Sequence, residues 1–66
     1  MTLTVNGASR TVADGLTLAQ LVLELGLEGN PIAIELNRQV VPRDRHVQTR
    51  LADGDRLEIV TLVGGG

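Results

Sequence analysis

The chain closes on "IVTLVGGG", an apolar run from Ile59 to Val63 followed by Gly64, Gly65 and Gly66. Such an ending offers a narrow chemistry: a terminal carboxylate carried on residues without side chains. Fixing one residue's backbone costs about 1–2 kcal/mol, so three successive glycines do not serve stability, and residues 64–66 are expected to form a flexible tail. Lacking Cβ, they can enter a channel closed to any other residue type. Fully extended, Val63 to Gly66 reach roughly 13 Å, enough to deliver the Gly66 carboxylate from a domain body, residues 1–63, into a partner's active site.

The other residues with chemical potential carry less. His46 stands alone in the polar stretch "RDRHVQTR", with no second histidine, cysteine or carboxylate at metal-ligand spacing, and a surface role is expected. Asp53 and Asp55 bracket Gly54 and read as turn chemistry rather than an acid–base or metal pair. Arg43, Arg45 and Arg50 could meet an acidic partner, but with Asp44 among them they read equally as a solvated loop. All six basic residues are arginines, which reads as compositional bias. Neither a catalytic side chain nor a metal set emerges.

With 66 residues, the chain is one domain burying only about 60% of the surface its unfolded form exposes. The absence of cysteine removes disulfides as a support and fits a reducing compartment. Neither a signal sequence nor a membrane-length apolar window is present, so a cytoplasmic, soluble protein is expected. Eight acidic against six basic residues give a net charge of −2, and there is no aromatic residue. A nucleic-acid surface is therefore excluded, for want of both positive charge and rings to stack on bases.

The elements that must position the tail can be read from periodicity. Thr2 to Val5 alternates, Asn6-Gly7 is a strong hairpin signal, and Ala8 to Ala13 can return as a second strand. In "TLAQLVLELG", Leu18, Leu21, Val22 and Leu25 form a helix stripe that leaves Leu23 off it. Thr17 and Gln20 form a capping box, and Gly26 suits the left-handed C′ position. After Asn30-Pro31, "IAIELN" places Ile32, Ile34 and Leu36 on one face and Ala33 and Glu35 on the other. Asn37-Arg38 turns into a short strand, Gln39 to Val41, which Pro42 stops. "ADGD" is a turn before the last strand, Arg56 to Val63, with Leu57 and Ile59 on one face and Glu58, Val60 and Leu62 on the other.

One helix and a mixed sheet of four to five strands make an α+β roll with a single buried sheet face. Val60 and Leu62, with Glu58 and Glu35, then lie on the uncovered face and, with Val63, lead into the tail. Of these, Val60, Leu62, Val63 and Glu58 are the candidate partner-docking residues, weighed against the scattered apolar residues any surface carries.

Taken together, the roll, "NRQVVPR", "LADGDRLEIV" and the terminal glycines resemble the ThiS family, ubiquitin-like sulfur carriers of thiamin biosynthesis, over essentially the whole chain. Gly64 lengthens the usual diglycine end by one. The resemblance implies a β-grasp fold with the first and last strands central and parallel, an order that periodicity does not supply. It also implies that a ThiF-type, E1-like adenylyltransferase activates Gly66 with ATP, and that a sulfur donor such as a cysteine desulfurase provides a persulfide. The resulting C-terminal thiocarboxylate gives its sulfur to a ThiG-type thiazole synthase. On this reading the chain is not an enzyme and binds no cofactor itself. Related carriers for molybdopterin, tRNA thiolation or cysteine synthesis share fold and tail, and a ubiquitin-like protein tag is a further alternative.

Overall fold

In a computed structural model of the chain, residues 1–62 are described; Val63 and the glycines at 64–66 lie outside them. Strand β1 (Thr2–Val5) turns through Asn6-Gly7 into β2 (Ala8–Thr11). Asn6 and Gly7 have φ of 50° and 82°, the positive values that a two-residue type I′ hairpin needs. β2 is shorter than the alternation suggests, although Val12 N–H still donates to Met1 O at 2.8 Å.

Helix α1 (Leu18–Glu24) begins and ends where its capping residues require. The Gln20 amide donates to Thr17 Oγ1 at 3.2 Å, and the Thr17 amide donates to Gln20 Oε1 at 2.8 Å, completing the capping box. At the other end Gly26 has φ of 73°, and its N–H donates to Leu23 O while that of Leu27 donates to Val22 O. This is the paired bonding of a Schellman terminus.

Three further strands follow: β3 (Ile32–Leu36), β4 (Gln39–Val40) and β5 (Arg56–Thr61). The sheet order is β2-β1-β5-β3-β4. β1 and β5 are parallel, and the other pairs are antiparallel. This is the β-grasp arrangement that the family resemblance implies. β5 ends two residues earlier than expected, at Thr61, although the Leu62 N–H still donates to Pro31 O at 2.8 Å.

The core lies between one sheet face and α1. Leu3, Ile34, Leu57 and Ile59 from the strands meet Leu18, Leu21 and Val22 from the helix, all buried, while Leu23 is exposed. Val12, Leu16 and Leu51 join this core from connecting segments.

One expectation needs correction: His46 is not a surface residue but is only 6% exposed. After Pro42, a single 3-10 turn at Arg43–Arg45 folds the polar segment back against the start of α1. There it supplies the acceptors that the first helical amides lack: Leu18 N–H donates to Thr49 O at 2.8 Å and Ala19 N–H to His46 O at 3.1 Å. The imidazole Nε2 lies 3.0 Å from Val41 O, and a carbonyl can only accept, so Nε2 carries the proton. The histidine is thus a hydrogen-bonded part of the interior.

Candidate functional site

The site grows from β5. Along this strand Leu57 and Ile59 point into the core, and Arg56, Glu58 and Val60 point to the opposite, uncovered face. Val60 is 57% and Leu62 50% exposed. The structure therefore brings three of the expected docking residues, Glu58, Val60 and Leu62, onto one side of the sheet. The others, Val63 and the tail residues Gly64, Gly65 and Gly66, lie outside the described residues.

Cross-strand register determines what surrounds them. Ala33 is opposite Val60, and Glu35 is opposite Glu58. Val40 lies opposite Glu35 on β4 and is also exposed. The face is therefore graded along β5. Its end near residue 62 is apolar, its middle carries two carboxylates, and its far end carries arginine. Glu35, Asn37, Arg38, Arg56 and Glu58 line a shallow hollow there.

Sequence reasoning missed Asn6. Backbone pairing between β1 and β5 ends at Val5 and Leu57. Beyond it, the Asn6 side chain acts as one more peptide group: Ile59 N–H donates to Asn6 Oδ1 at 2.7 Å, and Asn6 Nδ2–H donates to Ile59 O at 3.0 Å. The amide thereby holds β5 two residues further toward the chain end than β1 itself does. Asn-Gly marks a hairpin equally well without this second role, so no local signal announces it.

The two turn aspartates are structural, as expected. Asp53 Oδ1 accepts from Thr2 N–H at 2.7 Å. Asp55 accepts from Ala52 N–H at 2.8 Å and from Asn37 Nδ2–H at 3.0 Å. Arg43 is also engaged within the fold, donating through Nη2 to Asn30 O at 2.6 Å. Among the described residues no cluster of three or more His, Cys, Asp or Glu side chains could hold a metal, and no helix is long and apolar enough to cross a membrane.

Comparison with known proteins gives this arrangement its context. The ThiS family model matches residues 3–66. A thiazole synthase of Paramagnetospirillum magneticum is 39% identical over 66 residues, an alignment that covers 100% of this chain but 20% of that protein, so the chain spans about a fifth of its length. The sulfur carrier protein ThiS of Escherichia coli is 30% identical over 61 residues, covering 92% of each chain. The crystal structure of the thiamine biosynthesis protein ThiS from Geobacter metallireducens superposes with a TM-score of 0.86 at 36% identity, covering 100% of both chains. Matched by the family model over nearly its whole length, and by a ThiS structure over all of it, the chain belongs to the ThiS family.

Proposed function

We propose that this chain carries sulfur as a thiocarboxylate on Gly66 and delivers it for thiazole formation. A carboxylate is a poor electrophile, so an E1-like adenylyltransferase of the ThiF type first activates it: a carboxylate oxygen attacks the α-phosphorus of ATP, releasing pyrophosphate and leaving an acyl adenylate. The terminal sulfur of a persulfide, made by a donor such as a cysteine desulfurase, then attacks the acyl carbon and expels AMP, leaving an acyl disulfide; a thiol cleaves its S–S bond, becoming a disulfide with the donor sulfur and releasing the thiocarboxylate. Splitting the substitution in this way replaces one hard step with easier ones. The carrier contributes a reactive end and a docking face and no catalytic side chain.

The observation that supports this reading best is the position of β5. It is the middle strand of the sheet, held by β3 on one side and by β1 and the Asn6 amide on the other. It directly precedes Leu62 in the chain, and its exposed face carries Val60. A firmly held strand with an apolar face next to a glycine end suits a module that docks while its terminus reacts elsewhere. The thiazole synthases that match the full length of this chain favour a ThiG-type synthase as client over molybdopterin, tRNA-thiolation or cysteine-forming partners.

ATP–pyrophosphate exchange with the cognate activating enzyme tests the reading, because it reports adenylation before any sulfur moves. Removing Gly66, or extending the chain past it, is expected to abolish exchange with no change in melting temperature. Gly65→Val should do nearly the same, since a β-branched residue cannot take glycine's conformations. Intact mass after adding a sulfur donor should show exchange of one oxygen for sulfur. A protein adduct would instead identify a tag, and normal exchange without Gly66 would overturn the assignment.

A further inference from the structure

Glu35 and Glu58 are directly opposed on adjacent strands of the uncovered face. Opposed like charges destabilise a sheet, and the ion pairs among the described residues, Met1 with Asp14 and Arg10 with Glu24, involve neither glutamate. The charge on this face is therefore uncompensated at contact distance, in the middle of the surface the docking reading uses. Around it the charges are ordered. Arg56 precedes Glu58 by two residues on the same face and shares a hollow with Arg38 and both glutamates, whereas Val60 and Leu62 follow on the other side.

We propose that the docking partner inserts a basic side chain, an arginine guanidinium, between Glu35 and Glu58, with apolar surface around it resting on Val60 and Leu62. This rests on the docking reading above and specifies the chemistry of the surface that meets it. The planar fork of a guanidinium can bond two carboxylates at once, whereas an ammonium acts as a point charge. Arg38 and Arg56 repel a cation arriving from their end, so it comes over Val60, from the side nearest the chain's end. The complementary partner patch is thus an arginine set in apolar surroundings and facing the acidic pair. Relief of the Glu35–Glu58 repulsion is then released on binding.

The test is calorimetric titration of the carrier into the E1-like adenylyltransferase at low and high salt, with melting curves of each variant. Glu35→Gln and Glu58→Gln should each weaken affinity roughly tenfold at low salt and flatten its salt dependence. Both should melt at or above the parent temperature, because the repulsion is gone. Loss of binding with a gain in stability is a combination that general damage to the fold cannot produce. Parent affinity and salt dependence in the doubly substituted variant would overturn the proposal. If Val60→Asp still lost binding in that case, the apolar docking reading would stand alone. Failure of the parent chain to be adenylated would remove the carrier reading and this one with it. Self-association of the parent through this face, seen by sedimentation, would assign the surface to a second copy and overturn the arginine assignment.

Discussion

Asn6 shows how much a single side chain can decide in a sheet this small. Its amide supplies both bonds that Ile59 would otherwise take from another strand, and β5 is thereby fixed up to the point where the exposed apolar residues begin. Asn6→Gly separates this role from the turn, because glycine keeps the positive φ but has no amide. The loss should be about 1–3 kcal/mol, the cost of leaving a partly buried donor and acceptor without protein partners, and urea unfolding should show it as a lower midpoint at unchanged slope. Stability equal to the parent would mean that water replaces the amide without penalty. His46 carries the complementary lesson. A lone histidine among "RDRHVQTR" has no periodicity around it, so nothing local reveals that it is buried and bonded to Val41 O. Asp55 was readable because its bond from Ala52 N–H is local turn chemistry, whereas Asp53 takes the Thr2 N–H from across the fold. Asn6 was not, since its partner Ile59 lies on a strand that the fold alone brings near, and the burial of His46, five residues from its partner Val41, comes from packing of its segment against α1.

At the level of elements, local signals were strong wherever both ends of an element were marked by side chains. The helix was legible because its apolar stripe, its capping box and its C′ glycine agree, and all three appear in the structure. Strand ends were less so: β5 stops at Thr61 rather than Val63 and β2 at Thr11 rather than Ala13, because alternation continues past the last paired residue. What no pattern announced is that α1 borrows two carbonyl acceptors, of His46 and Thr49, from the segment that follows the 3-10 turn. That arrangement makes a testable division of labour. Thr17→Ala removes the side-chain cap and should cost about 1 kcal/mol, seen as a lower melting temperature with helical circular dichroism retained below it, since the amides of Leu18 and Ala19 keep their acceptors. Loss of the helical signal in the folded baseline would show that Thr17 nucleates the helix alone.

For the molecule as a whole, the inward faces of α1, β3 and β5 followed from the two periodicities, whereas the strand order β2-β1-β5-β3-β4 came from family resemblance. Alternation says which side of a strand is buried and nothing about its neighbours. The core residues Val12, Leu16 and Leu51 escaped for a similar reason: each is an isolated apolar residue in a connection. Among the described residues this core has ten buried aliphatic side chains and, with neither an aromatic residue nor a cysteine in the chain, depends on their packing. Leu21→Ala or Ile59→Ala should therefore cost about 2–5 kcal/mol, a large share of a small domain's stability, and melts matching the parent would refute the assignment of these faces. The opposite face should behave differently, because the fold assigns stability to one side of β5 and leaves the other free to meet a partner. Val60 sits on the free side, 57% exposed, with Ala33 opposite it, so an aspartate there stays in water and should change the melting temperature little. In a docked complex the same carboxylate would have to be desolvated against apolar surface without a partner of its own. Val60→Asp should therefore raise the carrier concentration needed for half-maximal ATP–pyrophosphate exchange by tenfold or more, roughly 1.4 kcal/mol per decade, while maximal exchange at saturation stays near that of the parent. Equal loss of stability and exchange would place Val60 in the structural core of the sheet and remove the docking face from this side of the molecule.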